Sequence, residues 1–200
     1  MLGSTIGYPS AIAIGLTLAW LAGVRMYLTV FGIGLAGALG WIALPALLHA
    51  TASPWVIGIC AVLALIEFAA DKIPGMDSGW DLLHTVLRIP VGAFLAAAMV
   101  SRDGRLGGGA LLAGAALALA SHAIKSATRV LINTSPEPLS NWSASLGEDL
   151  LTLVALVLLL THPWLGFGIA IGMQLLGALA LLWSFRALLR IGRRQTRAVA

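Results

Sequence analysis

Long apolar runs and two polar stretches divide this chain. The apolar runs lie at about residues 4–48, 54–71, 82–100, 106–130, 146–161 and 164–185. A helix needs about 20 mostly apolar residues to cross about 30 Å of hydrocarbon, so each of the later runs reads as one transmembrane span. The first run is too long, because a straight helix over 4–48 would reach about 65 Å. Pro45 falls too late to divide it, whereas Gly23-Val24-Arg25 sits near its middle. The pattern therefore predicts a tight turn there, with a first span at about 4–22 and a second at about 27–48. That makes about seven spans, or six if 4–48 forms one bent, partly re-entrant element.

Local signals support these boundaries. Ser53-Pro54-Trp55 opens the third span, since proline costs nothing at a helix start and tryptophan suits the interface. His162-Pro163-Trp164 reads as a short turn, and Gly32, Ala36 and Gly40 share a helix face on which small residues would let backbones approach.

Composition fixes the class. Hydrophobic residues make up 60% of the 200 residues and charged residues only 10%, with a mean hydropathy of +0.97. A soluble domain carries roughly 25% charge, so lipid must be the solvent. The expected fold is all-α, a polytopic transmembrane helix bundle. One transmembrane domain would cover 1–185, followed by a basic amphipathic tail at 186–200. Arg186, Arg190, Arg193, Arg194 and Arg197 crowd that tail, suit anionic lipid head groups, and place the C-terminus in the cytoplasm. The turns at Arg25, 72–81 and 131–145 would then share the cytoplasmic side, and the loop at 101–105, with its two arginines, would be the misfit. The arginine excess is a membrane signature and not a nucleic-acid one. Cys60 is the single cysteine, so no intramolecular disulfide forms. No basic segment precedes Arg25, so a cleaved signal peptide is not expected.

Polar chemistry is concentrated in Glu67–Pro90 and His122–Asp149, which hold seven of the eight acidic residues. Glu67 and Asp71 share a helix face ahead of Lys72. A carboxylate deep in a span faces the bundle interior and finds a partner, either as a functional acid or in a salt bridge to Arg129, Lys125 or Arg88. Asp77, Asp81, His84 and Arg88 share another face, where two carboxylates and an imidazole offer donors to a divalent cation; no other cofactor is expected. Helix capping accounts for Asp77, Ser78 and Asp81 equally well, and Ser145-Leu-Gly-Glu148 has the form of a capping box. His122, Lys125 and Arg129 line one face of the fifth span and call for acids or an anion opposite, unless Arg129 reaches out to the interface. Asp149 has no capping role to explain it. Pro74, Ser78 and Trp80 recur at Pro136, Ser140 and Trp142, a weak internal repeat.

The strings EFAADKIPGMDSGWDLLHTVLRIPVGA and HAIKSATRVLINTSPEPLSNWSASLGEDLL resemble the signature blocks of a bacterial family of small integral-membrane proteins catalogued as a domain of unknown function. The resemblance implies a multi-spanning protein of the bacterial cytoplasmic membrane and carries no activity. Three functions stay open. The first is a transporter of a small ion or anionic, phosphate-bearing substrate, coupled to protons or cations through Glu67 or a histidine. Its site would be Glu67, Asp71, Lys72, His84, Arg88, His122, Lys125 and Arg129, with Asp77, Asp81, Glu148 and Asp149 at the mouth. The second is a flippase or enzyme acting on a phosphorylated lipid, by looser analogy with proteins that handle undecaprenyl phosphates. The third is a structural partner with buried salt bridges. Expected partners are the bilayer, anionic head groups, the substrate and a second copy of the chain; the balance is against an enzyme.

Overall fold

The computed structural model describes the backbone of residues 6–73, 76–133 and 138–199, and the side chains of 6–73, 84–133 and 139–186. The described residues are helical, with no strand. Six long helices follow one another: α1 (Tyr8–Ala38), α2 (Pro54–Ala70), α3 (Met76–Val100), α4 (Gly108–Asn133), α5 (Pro138–Thr161) and α6 (Pro163–Val199), with a short 3-10 helix, Ala46–Ala52, between the first two.

Two boundaries show how local chemistry sets the elements. Ser53 caps α2, its Oγ accepting from Val56 N at 3.3 Å with Pro54 at the first helical position. At the end of α1, Gly40 takes a left-handed φ of +72°. Trp41 N donates to Ala36 O at 2.9 Å and Gly40 N to Gly37 O at 3.1 Å, a Schellman closure. Gly40 thus ends α1 and does not extend a small-residue face, and the expected second span stops at Ala38, well short of residue 48.

α1 is broken where the sequence placed a turn. Arg25 has φ −140° and ψ 79°, outside the helical region, and separates an arm at 8–24 from one at 26–38. The second arm runs back alongside the first. Arg25 touches Ser145 on α5, and Gly32 abuts Leu156, farther along α5 toward the α5–α6 turn. On the returning α6, Gln174 accepts a 2.9 Å hydrogen bond from Trp20 of the first arm. Ile14 and Leu18 from one arm and Ile33 from the other join a single core cluster with Leu95, Met99 and Leu156. A straight helix would hold Ile14 and Ile33 about 28 Å apart.

By length and composition, four helices can cross a membrane: Tyr8–Ala38, Gly108–Asn133, Leu139–Thr161 and Pro163–Arg186. The 3-10 helix and α2, bent by 63°, make a fifth as one broken span, and His84–Val100 is a shorter apolar helix. The six apolar runs of the sequence thus appear as six long helices, the first of them broken.

The centre of the bundle is α1, whose most apolar window is 78% buried, against 11% for that of α6. Backbones meet there closely. A Cβ added to Gly23 would lie 1.9 Å from Ser121 Oγ and 2.3 Å from Ala118 O, and one added to Gly114 would lie 2.6 Å from Gly92 O. α1, α3 and α4 therefore touch through backbone, as helices do in lipid when small residues permit it. The basic tail continues α6 as helix through Val199.

Candidate functional site

The break at Arg25 organises the polar centre. Interrupting a helix strands carbonyls that would have accepted from the next turn, and a stranded polar group in hydrocarbon is costly. Arg88 of α3 donates through Nη1 to Gly23 O at 2.9 Å and to Val24 O at 3.0 Å. Lys125 of α4 donates to Val24 O at 3.2 Å. Two cations thus close the C-terminal end of the first arm, where the helix dipole also favours positive charge. The other fork of Arg88, Nη2, donates to Glu67 Oε1 of α2 at 2.6 Å, with both side chains at or below 1% exposure. Of the three partners the sequence allowed Glu67, Arg88 is the one within ion-pair distance.

Asp71, just past the end of α2, gathers three cations on Oδ2: Arg25 at 2.5 Å, Lys125 at 3.0 Å and Arg129 at 3.8 Å. Glu148 of α5 faces the same three cations, Arg129 at 2.9 Å, Arg25 at 3.5 Å and Lys125 at 3.8 Å. Unlike Asp71, it keeps 16% side-chain exposure. Asp149 reaches Arg25 Nε at 3.0 Å and stands 3.9 Å from Lys72. Lys72 also donates to Phe68 O at 3.1 Å and Ser145 Oγ at 3.3 Å, and its ammonium lies over the Phe68 ring. Burial, opposed by Asp149, holds that ammonium below the ordinary lysine value. Among the described residues the centre therefore holds five cations (Arg25, Lys72, Arg88, Lys125, Arg129) against four acids (Glu67, Asp71, Glu148, Asp149).

The histidines lie beside this network. His122 Nε2 is 2.7 Å from Thr85 Oγ1 and 3.5 Å from Ser126 Oγ. His84 is buried and packs edge-on against Tyr27 at 5.6 Å. All eight residues of the central set expected from the sequence are thus brought close to the break in α1, with Glu148 and Asp149 beside them.

Four readings need correction. Ser145 and Glu148 do not form a capping box, because α5 begins at Pro138 and both are interior. Ser145 instead accepts from Arg25 through its carbonyl and its hydroxyl, each at 3.0 Å. Arg129 does not reach out to the interface: it is fully buried and donates to Asn141 Oδ1 at 2.9 Å and Asn141 O at 3.1 Å. Asp77 and Ser78 are not helix caps, since α3 already begins at Met76. The sequence reading gives Arg25 a place in a turn and no partner, yet its side chain is 1% exposed and pairs with three acids. The signal was present, a single charge in the middle of a 45-residue apolar run, and a charge inside a span marks a polar interior by default.

The side chains of Asp77 and Asp81 lie outside the described residues, as do those of Arg190, Arg193, Arg194 and Arg197; Arg186 is exposed. Among the described residues no group of three or more His, Cys, Asp or Glu is arranged to hold a metal ion. The divalent-cation reading rested on Asp77 and Asp81 and so falls outside them.

A cavity of about 370 Å³ enters the centre from the side. It lies between the second arm of α1, α2 and α5, with walls from Leu28, Phe31, Ala61, Ala64, Leu65 and Leu153. Arg25, Glu67 and Asp149 also line it.

Comparison with known proteins gives a family and no activity. The model of the family described as Domain of unknown function (DUF4126) matches residues 12–184. No curated protein and no solved structure matches. The match takes in α1 from its second turn through the apolar part of α6, and with it every charged residue of the polar centre, so the chain belongs to the DUF4126 family.

Proposed function

We propose that this DUF4126 protein is a transporter that passes a small anion through the polar centre at the break of α1, with Glu148 closing the site at rest. One observation carries the reading. Arg25, Lys125 and Arg129, from two helices, all lie within 4 Å of Glu148 Oε2. Asp71 already occupies the same trio from the buried side. Glu148 is the partly exposed acid of the two, so an incoming anion competes with its carboxylate for the three cations. Such a site suits phosphate or another oxyanion, because guanidinium forks match its geometry. A broken helix at the site is also how transporters place polar backbone at membrane depth.

The same reading places the protein in a bacterial inner membrane, with the arginine tail at the cytoplasmic face against anionic head groups. Glu67 or a histidine of the centre supplies proton coupling, since its charge can change as the site opens.

The test is anion flux from liposomes containing the purified full-length chain, loaded in parallel with inorganic phosphate and with chloride. Flux above that of empty liposomes is expected for at least one anion. Arg129→Ala should reduce it by about ten-fold or more, as loss of a charge-assisted hydrogen bond implies. Glu148→Gln should raise the apparent affinity, because the competing charge is gone. Flux equal to empty liposomes for both anions, or identical flux in wild type and both variants, would sink the proposal.

A further inference from the structure

The lateral cavity has a use that anion passage does not absorb. Its walls are apolar and come from three helices, and Leu65 and Leu153 are exposed on the lipid-facing side. At about 370 Å³ it falls within the usual range of small-ligand pockets. Glu67 lines it, is 1% exposed, and leaves Oε2 without a hydrogen-bond partner while Oε1 holds Arg88. Asp149 lines it too, and its Oδ2 also lacks a hydrogen-bond partner, Lys72 standing 3.9 Å away. The cation lining the cavity is Arg25, whose nitrogens face Asp71, Ser145 and Asp149. The polar end of the cavity therefore offers two carboxylate oxygens without hydrogen-bond donors, beside an Arg25 Nε that stands 3.0 Å from Asp149 Oδ1 and makes no hydrogen bond of its own. A buried carboxylate oxygen left without a donor costs free energy, and a ligand bearing N–H groups removes that cost.

We propose that this cavity binds a membrane lipid with a primary-amine head group, which enters sideways between α2 and α5, its ammonium donating to Glu67 Oε2 and Asp149 Oδ2 and an acyl chain lying along Leu65 and Leu153. Bilayer lipid is the occupant because the walls open onto the lipid-facing surfaces of α2 and α5. A phosphate-only head is disfavoured by the two acids. A trimethylated head carries the same charge without an N–H donor, so it separates hydrogen bonding from charge.

The experiment is native mass spectrometry of the full-length protein released from micelles. The micelles carry equal amounts of phosphatidylethanolamine, phosphatidylcholine and phosphatidylglycerol with identical acyl chains. Wild type should retain phosphatidylethanolamine about ten-fold over the other two, the worth of one charge-assisted hydrogen bond. Glu67→Gln should bring phosphatidylethanolamine down to the level of phosphatidylcholine. Ala64→Phe, which fills the cavity without removing an ionised group, should lower retention of all three. Because Glu67→Gln also weakens the Arg88 pair, Asp149→Asn provides a second removal of charge and should reduce the preference in the same direction. Equal retention of the three lipids by wild type would overturn the proposal. So would a preference that survives in Asp149→Asn and Ala64→Phe.

Discussion

Two ion clusters sit a few residues apart on the same helices and are built on different principles. Among the described residues Glu67 and Arg88 form a closed pair: two side chains, both buried, one 2.6 Å contact, and the remaining fork of the arginine given to the Gly23 and Val24 carbonyls. Asp71, Glu148 and Asp149 form a crowded cluster: three cations are shared between Asp71 and Glu148, and Glu148 and Asp149 keep 16% exposure. The closed pair closes a helix end. The crowded cluster has overlapping partners, so one acid can leave while the cations keep another. Stability should therefore rest on the first and exchange on the second.

The largest effect should come from Arg88→Ala. It leaves Glu67 buried without its partner, strands Gly23 O and leaves Val24 O to Lys125 alone, and breaking a buried pair costs about 3–5 kcal/mol. Thermal unfolding in detergent should show the loss. Exchanging the charges, Glu67→Arg with Arg88→Glu, should not restore it, since a glutamate at 88 cannot donate to Gly23 O and Val24 O. Full recovery would show that the pair is an interchangeable salt bridge and that the carbonyls contribute nothing.

Gly23→Ala comes next. The new methyl would meet Ala118 O at 2.3 Å as well as Ser121 Oγ at 1.9 Å, and overpacking of this kind costs about 1–3 kcal/mol. Adding Ser121→Gly removes only the side-chain clash, so the double variant should recover part of the loss. Complete recovery would mean that the α1–α4 backbones can separate without disturbing the closed pair.

Glu148→Gln should cost about 1 kcal/mol or less, because Asp71 keeps all three cations and the amide oxygen still accepts a hydrogen bond. A loss as large as that of Arg88→Ala would make Glu148 a second structural anchor and remove its role as an exchangeable acid.

The contrast also marks how far the residues alone could be read. Membrane class, the helix starts at Pro54 and Pro163 and the break near Arg25 were legible, because hydropathy, proline and span length act locally. The faces were legible too: Lys125 and Arg129 needed acids opposite, and Asp71 and Glu148 supply them. Partner choice was not. Arg88 pairs with Glu67 across α2 and α3, and only the crossing of those helices decides that. Ser145-Leu-Gly-Glu148 misled because a capping box and a stretch of buried helix interior can share one pattern; here the helix starts a full turn and more earlier, at Pro138. Arg25 was missed for the opposite reason. Its neighbours Gly23 and Val24 read as a turn, and a turn suggested the interface, whereas the chain folds back inside the bundle.

The smallest effect should be that of Lys72→Ala. Its ammonium stands 3.9 Å from Asp149, and both side chains are about 15% exposed. At that distance and exposure an ion pair is worth ~0–1 kcal/mol. Its hydrogen bonds to Phe68 O and Ser145 Oγ, at 3.1 and 3.3 Å, are long for charge-assisted ones. The variant should therefore melt within about 1 kcal/mol of wild type. It should also ease the approach to Asp149, because the nearest competing cation on that side is gone. Hence Lys72→Ala should change lipid retention or anion flux more than it changes melting. A loss of stability matching that of Arg88→Ala would put Lys72 with the closed pair and erase the difference between the two clusters.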